Sequence, residues 1–295
     1  MTEQAYRAED RTLDDAALEA AYGEQPAIGP HEPRVGHALI TMVEPAPGHE
    51  RAYNRWYEDD HFITGAMVMP WMFGGRRWVA TRDLQLMRFP ADSNFTSPLS
   101  NGCYLGTYWV TPGRLGDHKR WAFAANRRLS AEDRINRDRT HVFTSFQDLA
   151  GAVYASDDVP RVEYTLMDPS PGLVLEVVDA PTADTRDDLE RWLLTEHLPA
   201  RVSTSSPAHT AIVWRTNPPD PGMKPEVRAA AEKTANSGKR LTVLWFLTAD
   251  PRQVWDDFII GEDKLVAAGG HGTVSLIAPF IPSRMGTNTY DDQLR

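Results

Sequence analysis

The chain has 295 residues, 41% of them hydrophobic and nine of them tryptophan. That composition is sufficient for one large or two small cored domains and excludes a disordered chain. The formal net charge of −10 excludes a general nucleic-acid binder, because phosphate recognition needs a basic surface. No stretch of about 18 apolar residues occurs, so no transmembrane helix is predicted. The acidic, polar N-terminal stretch and the single Cys103 favour a cytoplasmic protein.

The most informative pattern is an internal repeat at an offset of 136 residues. The pairs at this offset that carry a rare residue type are Trp56/Trp192, Trp78/Trp214, Trp109/Trp245 and His61/His197. Four further pairs share it, namely Gly36/Gly172, Leu39/Leu175, Arg55/Arg191 and Leu105/Leu241. Such self-similarity defines the structural unit, so the chain is predicted to hold two copies of one module.

The predicted elements begin after an N-terminal arm, residues 1–34, which carries a short helix near 13–22. The first module, 35–150, is predicted to contain strands at 37–43, 76–81, 103–110 and 140–146, with helices at 49–66 and 117–129. The Pro/Ser/Asn-rich loop 90–102 between its middle strands is a candidate lid over a pocket.

The second module, 160–283, repeats the order of elements, and a tail follows at 284–295. Its predicted strands are 173–178, 210–215, 241–247 and 273–280, and its helices are 185–201 and 251–267. A polar insert, 217–239, stands where the first module has its loop. The order β-α-β-β-α-β is ferredoxin-like and belongs to the α+β class. Each sheet has one bare face, so the two copies are predicted to pack sheet to sheet as an intramolecular α/β barrel.

The segment from Asn54 to His61, followed by an arginine-bearing strand, resembles the first helix of the dimeric α/β-barrel superfamily, in its EthD-like branch. The second copy, from Arg191 to Pro199, is similar to that pattern more fully, because a proline follows its histidine. The resemblance implies two modules that pair their sheets, with a pocket between each sheet and its helices. It implies no single reaction, since fold does not fix function.

His61 is the leading candidate for catalysis, because imidazole exchanges protons near neutral pH. Asp60 and Glu58 lie close by in sequence and are expected to orient it. The alternative is that His61 caps its helix at the C-terminal end, where a cation is favoured. Glu58 and His61 also have metal-ligand spacing, but a site would need a third ligand such as His141. No metal is therefore predicted.

The expected substrate-binding residues lie on the first helix and on three strands of the first module. They are Tyr57, Arg77, Trp78, Tyr108 and His141. Arg76 and Arg77 alternate on one strand, so one is expected to face the helices and the other the opposing sheet. A structural ion pair and core packing are the alternatives for the arginine and the aromatic residues. His197 with Glu196 is the second module's counterpart.

The function expected from these residues and the resemblance is a cofactor-independent lyase, isomerase or cyclase of secondary metabolism. Its substrate is expected to be a small hydrophobic molecule, aromatic or polyketide-like. The alternatives are a cofactor-free monooxygenase, a non-catalytic binding or stress-response protein, and a haem or metal enzyme. No nucleic-acid or membrane partner is predicted, and a homodimer of the fused pair is left open.

Overall fold

The computed structural model describes residues 34–68, 71–219 and 236–295, and isolated positions within 14–20 and 225–232. The predicted arm, 1–34, and most of the insert, 217–239, therefore lie outside the described residues. None of the described helices is long and apolar enough to cross a bilayer.

The first module has its elements in the predicted order. Its strands are β1 (His37–Pro45), β2 (Met72–Val79), β3 (Tyr104–Val110) and β4 (Arg139–Tyr154). Its helices are α1 (Glu50–Trp56), α2 (Arg82–Leu86) and α3 (Leu115–Ala131). Helix α1 continues through two π-helical stretches, Tyr57–His61 and Ile63–Met67. Strand β4 is longer than predicted because its second half pairs with the other module.

The second module repeats this arrangement. Its strands are β5 (Gly172–Asp179), β6 (Ala208–Thr216), β7 (Arg240–Leu247) and β8 (Thr273–Pro282). Its helices are α4 (Arg186–Trp192), α5 (Leu198–Arg201), α6 (Pro251–Val254) and α7 (Glu262–Gly269). A π-helical stretch joins α4 to α5 (Leu193–His197), and another follows α6 (Trp255–Ile259).

The eight strands form one closed antiparallel barrel in the order β1-β3-β2-β8-β5-β7-β6-β4. Each half has the ferredoxin-like strand order, so the predicted duplication and α+β class are confirmed. The two joints between the modules differ in length. Strands β4 and β6 pair along Gln147–Tyr154, whereas β2 and β8 pair only at Trp78 and Val79.

The barrel interior is packed with aromatic side chains from both modules. Trp109 lies 4.8 Å from Trp214 between ring centroids, and Trp78 lies 6.1 Å from Phe246. All four are at most 1% exposed. Trp78, expected to bind substrate, therefore belongs to this interior, where its Nε1 donates to Thr107 Oγ1 at 3.0 Å. That prediction is wrong because the side chain faces the opposing sheet and not the helices.

The loop 90–102 packs against the barrel and the second module. Phe95 lies 5.8 Å from Phe143 of the barrel core, and Ser93 Oγ donates to the carbonyl of Ser275 at 2.5 Å. Arg88 holds the loop by donating to three of its carbonyls. The predicted lid is thus a fixed cover on the barrel core, and its packing partners are strands of the barrel and not the helices.

Strand pairing shows that the sequence repeat mixes true and fortuitous matches. The bulge in β1 falls between Met42 and Val43, and the bulge in β5 falls between Val177 and Val178. The first strands are therefore equivalent at an offset of 135 residues and not 136. Consequently Leu39 contacts the helix side of the first sheet, whereas Leu175 lies in the barrel. The match between them is accidental.

The third strands are displaced in the opposite direction. Ala38 pairs with Trp109, and its equivalent Leu173 pairs with Phe246. Trp109 therefore corresponds to Phe246, inside the barrel, and Tyr108 corresponds to Trp245, on the helix side. A one-residue shift along a strand moves a side chain to the opposite face, so the Trp109/Trp245 match does not mark equivalent positions.

Candidate active site

His61 lies at the end of the π-helical stretch that continues α1. Its imidazole stacks on the Trp56 indole with 4.5 Å between centroids and 21° between planes. A π-helical turn bonds residue i to residue i+5, so side chains five apart come over one another. The spacing between Trp56 and His61 thus corresponds to this turn. Trp192 and His197 stack in the same way at 4.7 Å, in the equivalent turn of the second module.

The imidazole of His61 is held neutral and has one nitrogen without a partner. Burial lowers the pKa of His61 to about 3, and the nearby charges of Arg139 and His141 lower it further. Nδ1 is buried and accepts or donates no hydrogen bond. Gly65 faces this nitrogen, and a β-carbon at that position would overlap it. A neutral imidazole with an unpaired nitrogen can accept a hydrogen bond or a proton.

Arg139 provides a cation beside the imidazole. Its guanidinium lies 4.5 Å from the Trp56 ring centroid, and its Nε donates to His141 Nε2 at 3.3 Å. Among the described residues no carboxylate pairs with Arg139. Burial lowers the pKa of Arg139, as expected for a charge taken out of water without a counter-ion. Trp56, His61, Arg139 and His141 are all half-buried, so the group reaches the surface.

His141 and two tyrosines complete the polar group on the helix side of the sheet. Burial lowers the pKa of His141 to about 4, and its Nδ1 lies 2.8 Å from Thr144 Oγ1. The hydroxyls of Tyr57 and Tyr108 hydrogen-bond each other, and burial raises the pKa of both. The Tyr57 ring meets the His61 ring edge-on at 5.6 Å. The structure thus brings together His61, Tyr57, Tyr108 and His141, and their roles in catalysis and substrate binding stay predictions.

The two carboxylates expected to orient His61 bind arginines instead, so this expectation is wrong. Asp60 accepts from Arg134 Nη2 at 2.6 Å and from Nε at 3.1 Å, and these bonds lower its pKa. Glu58 accepts from Arg77 Nη1 at 2.8 Å and from Arg55 Nη2 at 2.5 Å. The physical reason is the π-helical turn, which places His61 over Trp56 and away from the carboxylates of its own turn.

The Glu58–His61 pair is therefore not a pair of metal ligands. Both carboxylate oxygens of Glu58 are occupied by arginine donors, and its side chain is buried. Within the described ranges, no group of three or more His, Cys, Asp or Glu residues is arranged to hold a metal ion.

Arg76 and Arg77 face opposite sides of the sheet, as predicted. Arg76 lies over Trp78 at 4.4 Å on the barrel side, and Arg77 lies over the Tyr104 ring at 3.8 Å on the helix side. Arg77 is bound to Glu58, so it does not join the group around His61. The arginine near His61 is instead Arg139. Sequence reasoning missed Arg139 because it precedes the predicted fourth strand, in a charged stretch without periodicity.

In the second module the histidine has a carboxylate partner, but it is not the predicted one. Glu196 is exposed, whereas His197 is buried and its Nε2 bonds to Glu262 Oε1. Arg201 lies 3.1 Å from the other oxygen of Glu262. Glu262 is 1% exposed, at the start of α7.

A second buried carboxyl group, Glu176, adjoins this pair from strand β5. It accepts from Trp245 Nε1 at 2.7 Å, and its other oxygen has no partner. Burial raises the pKa of Glu176 well above its usual range, and the nearby Glu262 raises it further. The sequence contained a signal for it, since Glu176 is the single charged residue in the apolar run from Leu173 to Val178.

The fold defines the architecture of this protein. Two ferredoxin-like modules close one antiparallel barrel, as in a dimeric α/β barrel, with a polar group between each sheet and its helices. Here both modules are carried on one chain. The EthD-like branch stays a prediction.

Comparison with solved structures finds similar proteins at low sequence identity. No protein-family model matches the chain, and no curated protein matches it. An anthrone oxidase-like protein has a TM-score of 0.48 and 10% identity, covering 85% of this chain and 92% of that one. A haem-bound DypB variant from Rhodococcus jostii RHA1 has a TM-score of 0.47 and 11% identity, and the match covers 88% of this chain and 96% of that one. The encapsulated DyP-type peroxidase from Mycobacterium smegmatis has a TM-score of 0.43 and 13% identity, and the match covers 88% of this chain and 95% of that one. Their reactions say nothing about that of this chain.

Proposed function

We propose that the protein is a cofactor-independent enzyme that moves a proton on a small aromatic ketone, with His61 as the base. The observation that carries this proposal is a neutral, half-buried imidazole with an unpaired nitrogen, beside a cation without a counter-ion. Proton abstraction next to a carbonyl needs such a base and a donor for the oxyanion that develops.

The reaction is a proton transfer that needs no other reactant. His61 takes a proton from the carbon next to the carbonyl, and the electron pair of that C–H bond moves onto the carbonyl oxygen. Arg139 and the hydroxyl pair of Tyr57 and Tyr108 stabilise the enolate. Return of the proton to another carbon gives isomerisation, and departure of a leaving group gives elimination. Ring closure onto an internal electrophile gives cyclisation.

The environment of His61 also selects the substrate. An imidazole with its pKa lowered to about 3 is a weak base, so the carbon acid must itself be acidic. The rings of Trp56, Tyr57 and Phe62 offer an apolar, aromatic surface beside it. An aryl 1,3-diketone combines an acidic C–H with an aromatic ring, and it forms an enol that absorbs in the ultraviolet.

The test is the tautomerisation of 1-phenylbutane-1,3-dione, followed by enol absorbance, with the whole chain. We expect acceleration over buffer and a loss of about a hundredfold in His61→Gln. Arg139→Gln is expected to lower the rate, because the enolate loses its cation. His271→Gln is the matched control, since His271 stacks on Trp192 in the other module. A His61→Gln variant that keeps the full rate contradicts the proposal.

Two parallel measurements separate the alternatives. Oxygen uptake with substrate alone identifies a cofactor-free monooxygenase, in which the same carbanion reduces O₂. A visible absorption spectrum of the purified chain detects haem. Binding of the diketone without tautomerisation identifies a non-catalytic ligand binder. Each of these outcomes replaces proton transfer as the function of the site.

A further inference from the structure

The C-terminal tail, residues 284–295, returns from β8 to the first module and is anchored at both ends. At its far end Leu294 is fully buried, and Arg295 donates to Glu50 at 2.6 Å and to Glu44. At its near end Thr287 accepts from Asn54 Nδ2 at 3.0 Å. The tail therefore crosses the helix side of the first sheet as a strap.

A narrow, partly open cleft of about 10 Å³, with room for one water molecule while the tail is in place, lies beneath this strap. Its floor is formed by Asn54, Glu58 and Tyr104, and its roof is formed by the tail from Ser283 to Asp291. The floor residues are the contacts of Arg77, which is 2% exposed. The cleft is therefore lined by polar groups and aromatic rings, and the Arg77 guanidinium lies over the Tyr104 ring outside this lining.

The Asp291 carboxylate lies in this cleft with few contacts. One of its oxygens accepts from the Tyr104 hydroxyl at 3.4 Å, and the other is buried without a partner. Arg55 and Arg77 attract it, yet burial raises its pKa above the usual value. A carboxylate that loses water without gaining full hydrogen bonds is poorly stabilised where it lies.

The buried arginine has unused hydrogen-bonding capacity. Arg77 Nη1 donates to Glu58 and Asn54, but Nε and Nη2 have no partner. A guanidinium presents two such N–H groups as a fork that matches a carboxylate. The Tyr104 ring stacks on this guanidinium, and Tyr290 lines the cleft from the tail side.

We propose that the cleft beneath the tail is a second binding site, for a small aromatic carboxylate, and that Asp291 occupies it as an internal ligand. A free aromatic acid brings the same charge together with ring surface for Tyr104 and Tyr290. Between Thr287 and Gln293, the hydrogen bond to Tyr104 is the one that ties the described tail to the body. Tyr290 of this part also packs against the barrel core. Lifting this part of the strap, while both anchors hold, separates these contacts and opens the room that an aromatic ring needs. The proposal does not depend on His61.

Benzoate is the probe, titrated into the whole chain by isothermal calorimetry. We expect Asp291→Ala to tighten benzoate binding by at least about tenfold over wild type. The matched control is Asp292→Ala, which removes the neighbouring exposed carboxylate and is expected to leave the affinity unchanged. Adding Tyr104→Phe to Asp291→Ala keeps the ring and removes the hydroxyl, and it is expected to abolish the gain.

Benzyl alcohol distinguishes a carboxylate site from an apolar hole, because it has the ring without the charge. Equal gains for benzoate and benzyl alcohol in Asp291→Ala overturn the proposal, as does a benzoate affinity within about twofold of wild type. The diketone tautomerisation rate of Asp291→Ala is expected to equal that of wild type. The two proposals therefore fail separately.

Discussion

The helix sides of the two modules carry the same histidine on the same π-helical turn and give it opposite surroundings. His61 and His197 stack on Trp56 and Trp192 at nearly equal distances. In the second module Glu262 bonds to the histidine, and Glu176 lies behind it. In the first module Thr41 stands at the strand position equivalent to Glu176, and the imidazole nitrogen is unpaired.

The Trp–His stack occurs in both modules, so it is a feature of the fold. The hydrogen-bond partners of the histidine differ between the modules, and they determine whether its nitrogen is available to a ligand. The second module pairs His197 and Arg201 with Glu262, as a structural network does, although one oxygen of Glu176 has no partner. The first module leaves a neutral acceptor and an unpaired cation facing one another. Arg139 donates hydrogen bonds to His141 and to the carbonyl of Asn136, so the unsatisfied atom of this group is His61 Nδ1. A buried polar atom without a partner needs a structural or functional explanation.

The largest expected effect tests whether the second cluster is structural. Glu262→Ala leaves His197 and Arg201 without their shared partner, so we expect a loss of about 3–5 kcal/mol in the free energy of unfolding. Glu176→Gln is the matched change, and it should cost under about 1 kcal/mol, because burial raises the pKa of Glu176 and so favours a neutral carboxyl, which the amide resembles. Urea unfolding at pH 7 measures both. Equal losses would show that Glu176 is ionised in the fold.

The next effect concerns the room beside His61. Gly65→Ala places a methyl group on Nδ1, so the imidazole must leave the Trp56 ring. We expect a loss of about 1–3 kcal/mol from overpacking and at least a tenfold lower tautomerisation rate. Gly116→Ala is the control, because a β-carbon there meets open space. A normal rate in Gly65→Ala would show that the position of His61 does not matter for catalysis.

The pH dependence of stability gives a third comparison. The folded pKa of His61 is about 3 and its ordinary value is 6.5, so the unfolded chain takes up the proton first. Wild type therefore loses stability as the pH falls below 6.5, and His61→Gln loses less. At pH 5 the difference in this pH-dependent loss approaches about 2 kcal/mol. Unfolding curves at pH 5 and 7 measure it. Parallel curves for both proteins contradict a neutral, buried His61.

Sequence reasoning reached the fold because periodicity and the repeat act over whole elements. It failed where one residue of displacement matters. The Trp109/Trp245 match looked equivalent, yet a shift in strand pairing put these rings on opposite faces. Asp60 and Glu58 looked close to His61 on an α-helix, and the π-helical turn separated them. Arg139 and Glu262 come from distant segments, so their contacts depend on tertiary packing that no local pattern encodes.

The smallest expected effect returns to Asp60, the carboxylate nearest to His61 in sequence. Arg134 lowers its pKa and holds it outside the site, at a position where both side chains are partly exposed. Asp60→Asn should therefore cost under about 1 kcal/mol in the free energy of unfolding and change the tautomerisation rate by less than about twofold. Urea unfolding and the enol assay measure the two quantities. A large fall in rate with little loss of stability would mean that Asp60 tunes the imidazole through space. A carboxylate would then influence the histidine in both modules. The modules would differ only in the distance between that carboxylate and the imidazole.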